Sequence, residues 1–226
     1  MTVGRQAYGP EPDQYLERYG SGELGTVLII HGGFWRPEYD ASLGRPLAED
    51  LAGRGYTAVN LEYRRAAWDG WRCAFPDVLA GIAALGETNV VAVGHSAGAQ
   101  LAAYAAARGL LAGVVAQAGL LDLGTAARDR VGGRSVLKLM GGTPEEVRQR
   151  YREADPIVAA PLDVPVVCVH SRADAWVPFA QSEAYAAKSG AKLIEVPGDH
   201  LAHVQPGTPA WAAVLDVLPG LVSRRS

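Results

Sequence analysis

Gly94-His95-Ser96-Ala97-Gly98 constrains the fold more than any other stretch of this chain. It follows the apolar run Val90-Val91-Ala92-Val93 and precedes an Ala-rich helical run, Ala97 to Arg108. The order is strand, sharp turn, helix, with a serine at the apex. Glycines two before and two after Ser96 let strand and helix pass close to a strained backbone, and such a turn pushes Oγ out of the sheet. With 27 glycines in 226 residues, the five-residue pattern alone arises by chance roughly 0.1 times per chain. The flanking strand and helix therefore carry the inference. They place Ser96 as a nucleophile whose Oγ is expected to be exposed.

Strand and helix signals alternate along the rest of the chain. Thr26 to Ile30, Thr57 to Leu61, Gly113 to Gln117, Val164 to Val169 and Lys192 to Val196 read as short strands. Gln14 to Tyr19 reads as an early antiparallel strand ending at Gly20-Ser21-Gly22. Helical spacing appears over Arg45 to Arg54, Phe75 to Leu85, Phe179 to Lys188 and Pro209 to Leu218. Pro76 is expected in the first turn of its helix, where proline is tolerated. The alternation predicts an α/β fold: a mostly parallel central sheet with helices on both faces. No repeat, linker or shift of composition divides 1–226, so one domain is expected. The segment from Leu120 to Pro161 breaks the rhythm. It is expected to hold a helix over Ser135 to Met140 and another capped by Thr143, with Pro144 at its first position and Glu146 three residues after the cap. We read about 120–161 as a small insertion over the carboxyl edge of the sheet, where open α/β sheets bind ligands.

The composition removes several function classes. A formal net charge of −3 gives no electrostatic footprint for nucleic acid or an anionic membrane. The basic pair Arg224-Arg225 reads as a solvated tail. No uninterrupted apolar run is long enough for a membrane span, and Met1 to Tyr19 lacks the apolar core of a secretory signal. Cys73 and Cys168 suggest neither a metal site nor a disulfide framework, so a cytoplasmic protein with reduced thiols is expected. No metal or organic cofactor is called for. The expected partner is a small-molecule substrate; a homodimer is compatible with the sequence, which leaves oligomeric state open.

A serine hydroxyl needs a base at neutral pH, and the base needs an orienting carboxylate. In the strand–turn–helix arrangement the acid follows the serine and the base follows the acid. That leaves His200 and His203 for the base. Pro197-Gly198-Asp199-His200 directly follows the strand from Lys192, so His200 hangs off a strand's carboxyl end and is preferred; His203 is expected at the surface or a pocket rim. Asp174 lies beyond the strand ending at Val169 and is the expected acid. Asp163 precedes that strand, and Asp199 is a sequence neighbour of the base whose side chain should point away. His31-Gly32-Gly33-Phe34-Trp35 follows the strand from Thr26, and its glycines let backbone N–H groups face an oxyanion. Ala97 is the expected second donor; the first is Gly33 or Phe34. His31 reads as a buried histidine that fixes this loop.

These motifs, in this order, resemble the α/β-hydrolase superfamily. More narrowly, the chain looks like the arylformamidase (kynurenine formamidase)-like esterases of the prolyl-oligopeptidase-related group. The resemblance rests on His31 to Trp35, Leu61-Glu62-Tyr63-Arg64, the Ser96 motif, His170 to Pro178 and Gly198-Asp199-His200, with Gly141 to Pro144 and Asp155-Pro156 in the insertion. It covers nearly the whole chain. Its nucleophile, acid and base fall on Ser96, Asp174 and His200. This chain departs from it at His200-Leu201-Ala202-His203, where relatives often read His-Phe-Asp, and at Ser171, where many have Gly.

Trp35, Trp68, Trp71 and Trp176 fall in segments expected at the catalytic edge and suggest a closed aromatic pocket for a planar or apolar group. Trp211 is expected in the core; Arg64, Arg65 and Arg72 are expected to be solvated or salt-bridged, with contact to a substrate carboxylate as the alternative. The expected chemistry is hydrolysis of a small ester or aryl/N-formyl amide. An acyltransferase, cyclase, thioesterase or peptidase would use the same triad, and a non-catalytic ligand receptor would need none of it.

Overall fold

The computed structural model describes residues 2–223; Arg224-Arg225 lies outside them. Eight strands form one sheet: β1 (Thr2–Ala7), β2 (Tyr15–Tyr19), β3 (Thr26–Ile30), β4 (Thr57–Leu61), β5 (Val90–His95), β6 (Gly113–Gln117), β7 (Val166–His170) and β8 (Lys192–Glu195). Their order is β1-β2-β4-β3-β5-β6-β7-β8. The pairs β1/β2 and β2/β4 are antiparallel, and every other neighbouring pair is parallel.

The strand sequences explain this burial. β3 to β7 are buried along their whole length, so they read as mostly apolar runs, with few polar residues such as Asn60 and Gln117, and not as alternations. Alternate side chains nevertheless serve different faces. Leu28 and Ile30 join one core with Val78 and Ile82 of α2 (Trp71–Ala84) and with α3 (Ala97–Ala106). Val27 and Ile29 join the other with Leu47 and Leu51 of α1 (Arg45–Gly53) and Trp211 and Val214 of the last helix, α9 (Pro209–Val222). Each such buried side chain contributes about 1.5–3 kcal/mol.

The register brings the carboxyl ends of the parallel strands level. Ile30 pairs with Gly94, His95 with Gln117, Gln117 with Val169, and His170 with Glu195. The loops beginning at 31, 96, 118, 171 and 196 therefore leave from one edge.

One strand goes unread in the sequence, and two expectations about the elements change. The unread strand is β1, which carries little apolar signal and is held by backbone pairing to β2. α2 begins at Trp71, so Pro76 lies inside it and Trp71 is a helical residue. Pro76 is exposed, on a side where the carbonyl four residues back can meet water. The segment 120–161 holds four short helices: α4 (Leu123–Arg128), α5 (Ser135–Met140), α6 (Arg148–Ala154) and α7 (Pro156–Ala159). The Thr143–Glu146 capping box forms reciprocally, at 2.8 and 3.2 Å, but opens a turn that runs into α6 at Arg148. The insertion meets the loop after β3, where Arg36 donates to the Gly132 carbonyl and to Ser135 Oγ. Helix α8 (Ala180–Ser189) completes the layer. Among the described residues no helix is long and apolar enough to cross a membrane.

Candidate active site

Ser96 stands between β5 and α3 at φ 56° and ψ −116°, a left-handed backbone that costs a serine strain. The flanking glycines make the turn possible. A Cβ on Gly98 would lie 2.0 Å from the Ile30 carbonyl oxygen, and one on Gly94 2.5 Å from that of Gly98. The Ser96 N–H donates to the Gln117 carbonyl at 2.8 Å.

The nucleophile is not exposed as expected. Ser96 is fully buried, and its Oγ makes no hydrogen bond among the described residues. The cause is the loop after β3. Gly32 sits so close that a Cβ on it would fall 2.9 Å from Ser96 Cβ and 2.8 Å from the His95 carbonyl oxygen. Two glycines let this loop close on the elbow.

Asp174 and His200, 26 residues apart, meet at 2.6 Å between Oδ2 and Nδ1. The other carboxylate oxygen accepts the N–H groups of Trp176 at 2.8 Å and Val177 at 2.9 Å. Burial pushes the Asp174 carboxyl up, but the hydrogen bonds from His170, His200 and Val177 outweigh it and hold the group well below the usual carboxylate range. Ionised, it can only accept, so His200 donates from Nδ1 and keeps its Nε2 lone pair free. His200 opens a 3-10 turn, His200–Val204. Its carbonyl accepts from His95 Nε2 at 3.1 Å, and the two rings stand 4.5 Å apart. The acid–base pair is thus seated against the residue next to Ser96.

Asp199 caps that turn, accepting the N–H groups of Leu201 and Ala202 at 3.1 and 2.9 Å. His203 is not at a rim. It is fully buried, with neither ring nitrogen hydrogen-bonded among the described residues. Burial, helped by His170 and His200, pushes its pKa down to about 4. The tight turn directs His203 inward and leaves Leu201 outside, and Gln117 Nε2 holds the His203 carbonyl at 2.8 Å.

Gly33, Phe34 and Trp35 have φ of 104°, 52° and 54°. Gly33 must be glycine, since a Cβ there would strike Tyr39 at 2.4 Å. Among the described residues, the N–H groups of Gly33, Phe34, Trp35 and Ala97 donate to no protein acceptor. Ala97 opens α3, where the first N–H groups lack intrahelical acceptors. His31 is buried, with Nδ1 2.8 Å from the Gly32 carbonyl and Nε2 3.2 Å from Glu62 Oε1. Glu62 also accepts from the Ala41 and Tyr63 N–H groups and from Arg65. It anchors the loop, a role that its sequence neighbourhood alone does not announce.

The tryptophans do not form one closed pocket. Trp176 is 45% exposed, with its ring 5.1 Å from that of His200, and Trp68 is 48% exposed. Trp35 is buried beside a cavity of about 240 Å³ that Phe34, Ala66, Ser135 and Leu139 also line. Trp71 belongs to a separate groove with Phe75, Tyr104 and Arg150, because it packs as part of α2 and not as a loop residue. Trp211 is core, donating to Asp50 at 2.7 Å. Arg64 grips Asp77 at 2.8 and 2.7 Å, Arg65 pairs with Glu62, and Arg72 reaches Asp69 at 3.5 Å. Among the described residues no group of three or more His, Cys, Asp or Glu is arranged to hold a metal ion. Cys73 and Cys168 are free, and burial pushes the Cys168 thiol up to about 12.

A sequence model of the serine hydrolase family matches residues 75–219, more than half of the chain, and the chain belongs to that family. The match includes Ser96, Asp174 and His200. No curated protein matches in sequence. Among solved structures, esterase B from Lactobacillus rhamnosis is 17% identical with a TM-score of 0.77, covering 97% of this chain and 85% of that one. A truncated carbohydrate esterase from gut microbiota is 19% identical with a TM-score of 0.78, covering 99% and 97%. A monoacylglycerol lipase from Paleococcus ferrophilus is 17% identical with a TM-score of 0.65, covering 91% and 98%. At such identities the likeness is one of fold, and the fold is that of the α/β-hydrolases.

Proposed function

We propose that this serine hydrolase cleaves small carboxylic esters or aryl and N-formyl amides through an acyl-enzyme. Ser96 attacks the carbonyl carbon while His200 Nε2 takes the hydroxyl proton. Asp174 holds His200 in the required tautomer and stabilises the imidazolium. The N–H groups of Ala97 and of Gly33 or Phe34 receive the oxyanion. The leaving group departs with the proton from His200, and water then cleaves the acyl-enzyme by the same steps in reverse roles. The observation that carries the reading is the 2.6 Å Asp174–His200 contact seated against the elbow. The cavity of about 240 Å³ beside Phe34 and Trp35 adjoins the proposed oxyanion loop, though no triad residue lines it, and its size supports a short acyl or aryl group over a long lipid chain. The arylformamidase-like motifs support the N-formyl amide part of the reading.

A panel of p-nitrophenyl esters from C2 to C12, with N-formylkynurenine and small peptides, tests it. Turnover is expected to be highest at C2 to C4 or at the formyl amide. Rates that climb to C12 with activation at an oil interface, or no turnover of any member, contradict it. The burial of Ser96 favours one second reading, acyl transfer to an acceptor other than water, since the site excludes solvent. Added amines or alcohols that divert most of the acyl product would establish that reading.

A further inference from the structure

His170 ends β7, is fully buried, and takes no part in the steps above. Its Nε2 lies 3.1 Å from the Val177 carbonyl oxygen and 3.3 Å from Asp174 Oδ2. Both are acceptors only, so Nε2 carries a hydrogen that the two share. Its Nδ1 lies 2.8 Å from Ser182 Oγ, in the first turn of α8. A hydroxyl can give or take a hydrogen, so this contact survives either protonation state of the ring, and Nε2–H persists in both. Ser182 is itself fully buried, so the ring has one seat.

Asp174 Oδ2 therefore receives two imidazole donors, His200 at 2.6 Å and His170 at 3.3 Å. Among the described residues no Lys or Arg pairs with this carboxylate. The groups that face the pair are few. His200 meets His95 and Trp176 and interacts electrostatically with the buried His203. His170 meets Phe179 at 5.4 Å and His203, edge-on, at 6.2 Å. A second donor on Oδ2 does two things. It adds a hold on Oδ2 to the one that the Trp176 and Val177 N–H groups give Oδ1, and so narrows the carboxylate's terminal torsion further. It also withdraws negative charge from the atom that stabilises a proton on His200.

We propose that His170 is a positioning residue of the catalytic system: seated by Ser182, it holds the Asp174 carboxylate toward His200 and, by competing for Oδ2, lowers the basicity of the base. This rests on the Ser96–Asp174–His200 reading. Sequence reading placed His170 only as a strand end, although its four-residue spacing from Asp174 was visible.

The test is the pH profile of kcat/KM on p-nitrophenyl acetate for His170→Gln, His170→Asn and Ser182→Ala, with thermal unfolding alongside. Gln can set its amide nitrogen near the position of Nε2 and keep the donor to Asp174. Asn reaches only the Ser182 side. In the Asn variant the acidic limb is expected to rise by about half to one pH unit, and kcat to fall about tenfold with little change in KM. The Gln variant should keep the limb near its original position and recover most of kcat. Ser182→Ala should shift the limb upward by less than Asn does, which leaves a readout if either His170 variant fails to fold. Folded Asn and Ser182→Ala variants with unmoved limbs overturn the proposal, as does a Gln variant no better than Asn. His200→Ala runs in parallel. If it retains activity the triad reading itself fails; if it is inactive while the His170 variants behave as wild type, only this inference does.

Discussion

Asp174 and Asp199 lie near the same base and are asked for different things. Asp174 touches His200 Nδ1, whereas Asp199 caps the turn that carries His200. Asp174→Asn should keep the fold but favour the wrong His200 tautomer, with turnover falling about 10³–10⁴-fold. Asp199→Asn, which still offers a capping oxygen, should change turnover less than about tenfold and stability by no more than about 1 kcal/mol. Steady-state rates and urea unfolding of the two variants check both. Equal losses would mean that Asp199 acts on the base. Ser96, Asp174 and His200 were legible in the sequence because each follows a strand end at the same sheet edge. The burial of Ser96 and His203 was not, because it depends on how Gly32 packs and which way a five-residue turn curls.

At the scale of elements, the elbow works only because α3 passes over the end of β3 without a side chain in the way. Gly98→Ala would place a Cβ 2.0 Å from the Ile30 carbonyl oxygen, and backbone cannot yield as a flexible side chain does. A loss of about 3 kcal/mol or more is expected. Gly53→Ala in α1 meets nothing within 4 Å and should be neutral or stabilise by up to about 1 kcal/mol. Urea midpoints measure the contrast, and comparable stabilities would show that the strand and helix are not so tightly apposed. Central strands were readable to the residue at Thr26–Ile30, Thr57–Leu61 and Gly113–Gln117, since burial on both faces demands a mostly apolar run, broken in β4 by Asn60, which donates to Glu17 and the Ala41 carbonyl. β1 was not, because an edge strand needs only backbone partners. The start of α2 was hidden by Pro76; in the insertion α5 was legible at Ser135–Met140, whereas α4 and α7, of six and four residues, are too short to show a period.

The whole molecule buries titratable groups that set its response to acid. Burial holds His203 down at about 4 and His95 well below the ordinary histidine value, while both titrate near 6.5 in the unfolded chain. From about pH 6.5 down to about 4 the unfolded chain therefore binds more protons, and stability is lost as pH falls. For His203 alone this amounts to about 3 kcal/mol. Asp155 has the opposite sign: burial raises its pKa to about 6, so its share of stability is lost as pH rises from about 4 to 6. Two histidines against one carboxyl give a net loss on acidification. Tm should fall from pH 7 to pH 5, and His203→Asn should start lower at pH 7 but fall less steeply. A wild-type Tm that holds or rises between those values would contradict this balance. The claim on which the rest depends is that Ser96 is the nucleophile, activated by His200. Labelling with a fluorophosphonate, followed by peptide mass spectrometry, tests it most directly. One adduct on Ser96 is expected, absent in Ser96→Ala and strongly slowed in His200→Ala. Ester turnover that survives in Ser96→Ala, or an adduct on a different residue of an active enzyme, would contradict it.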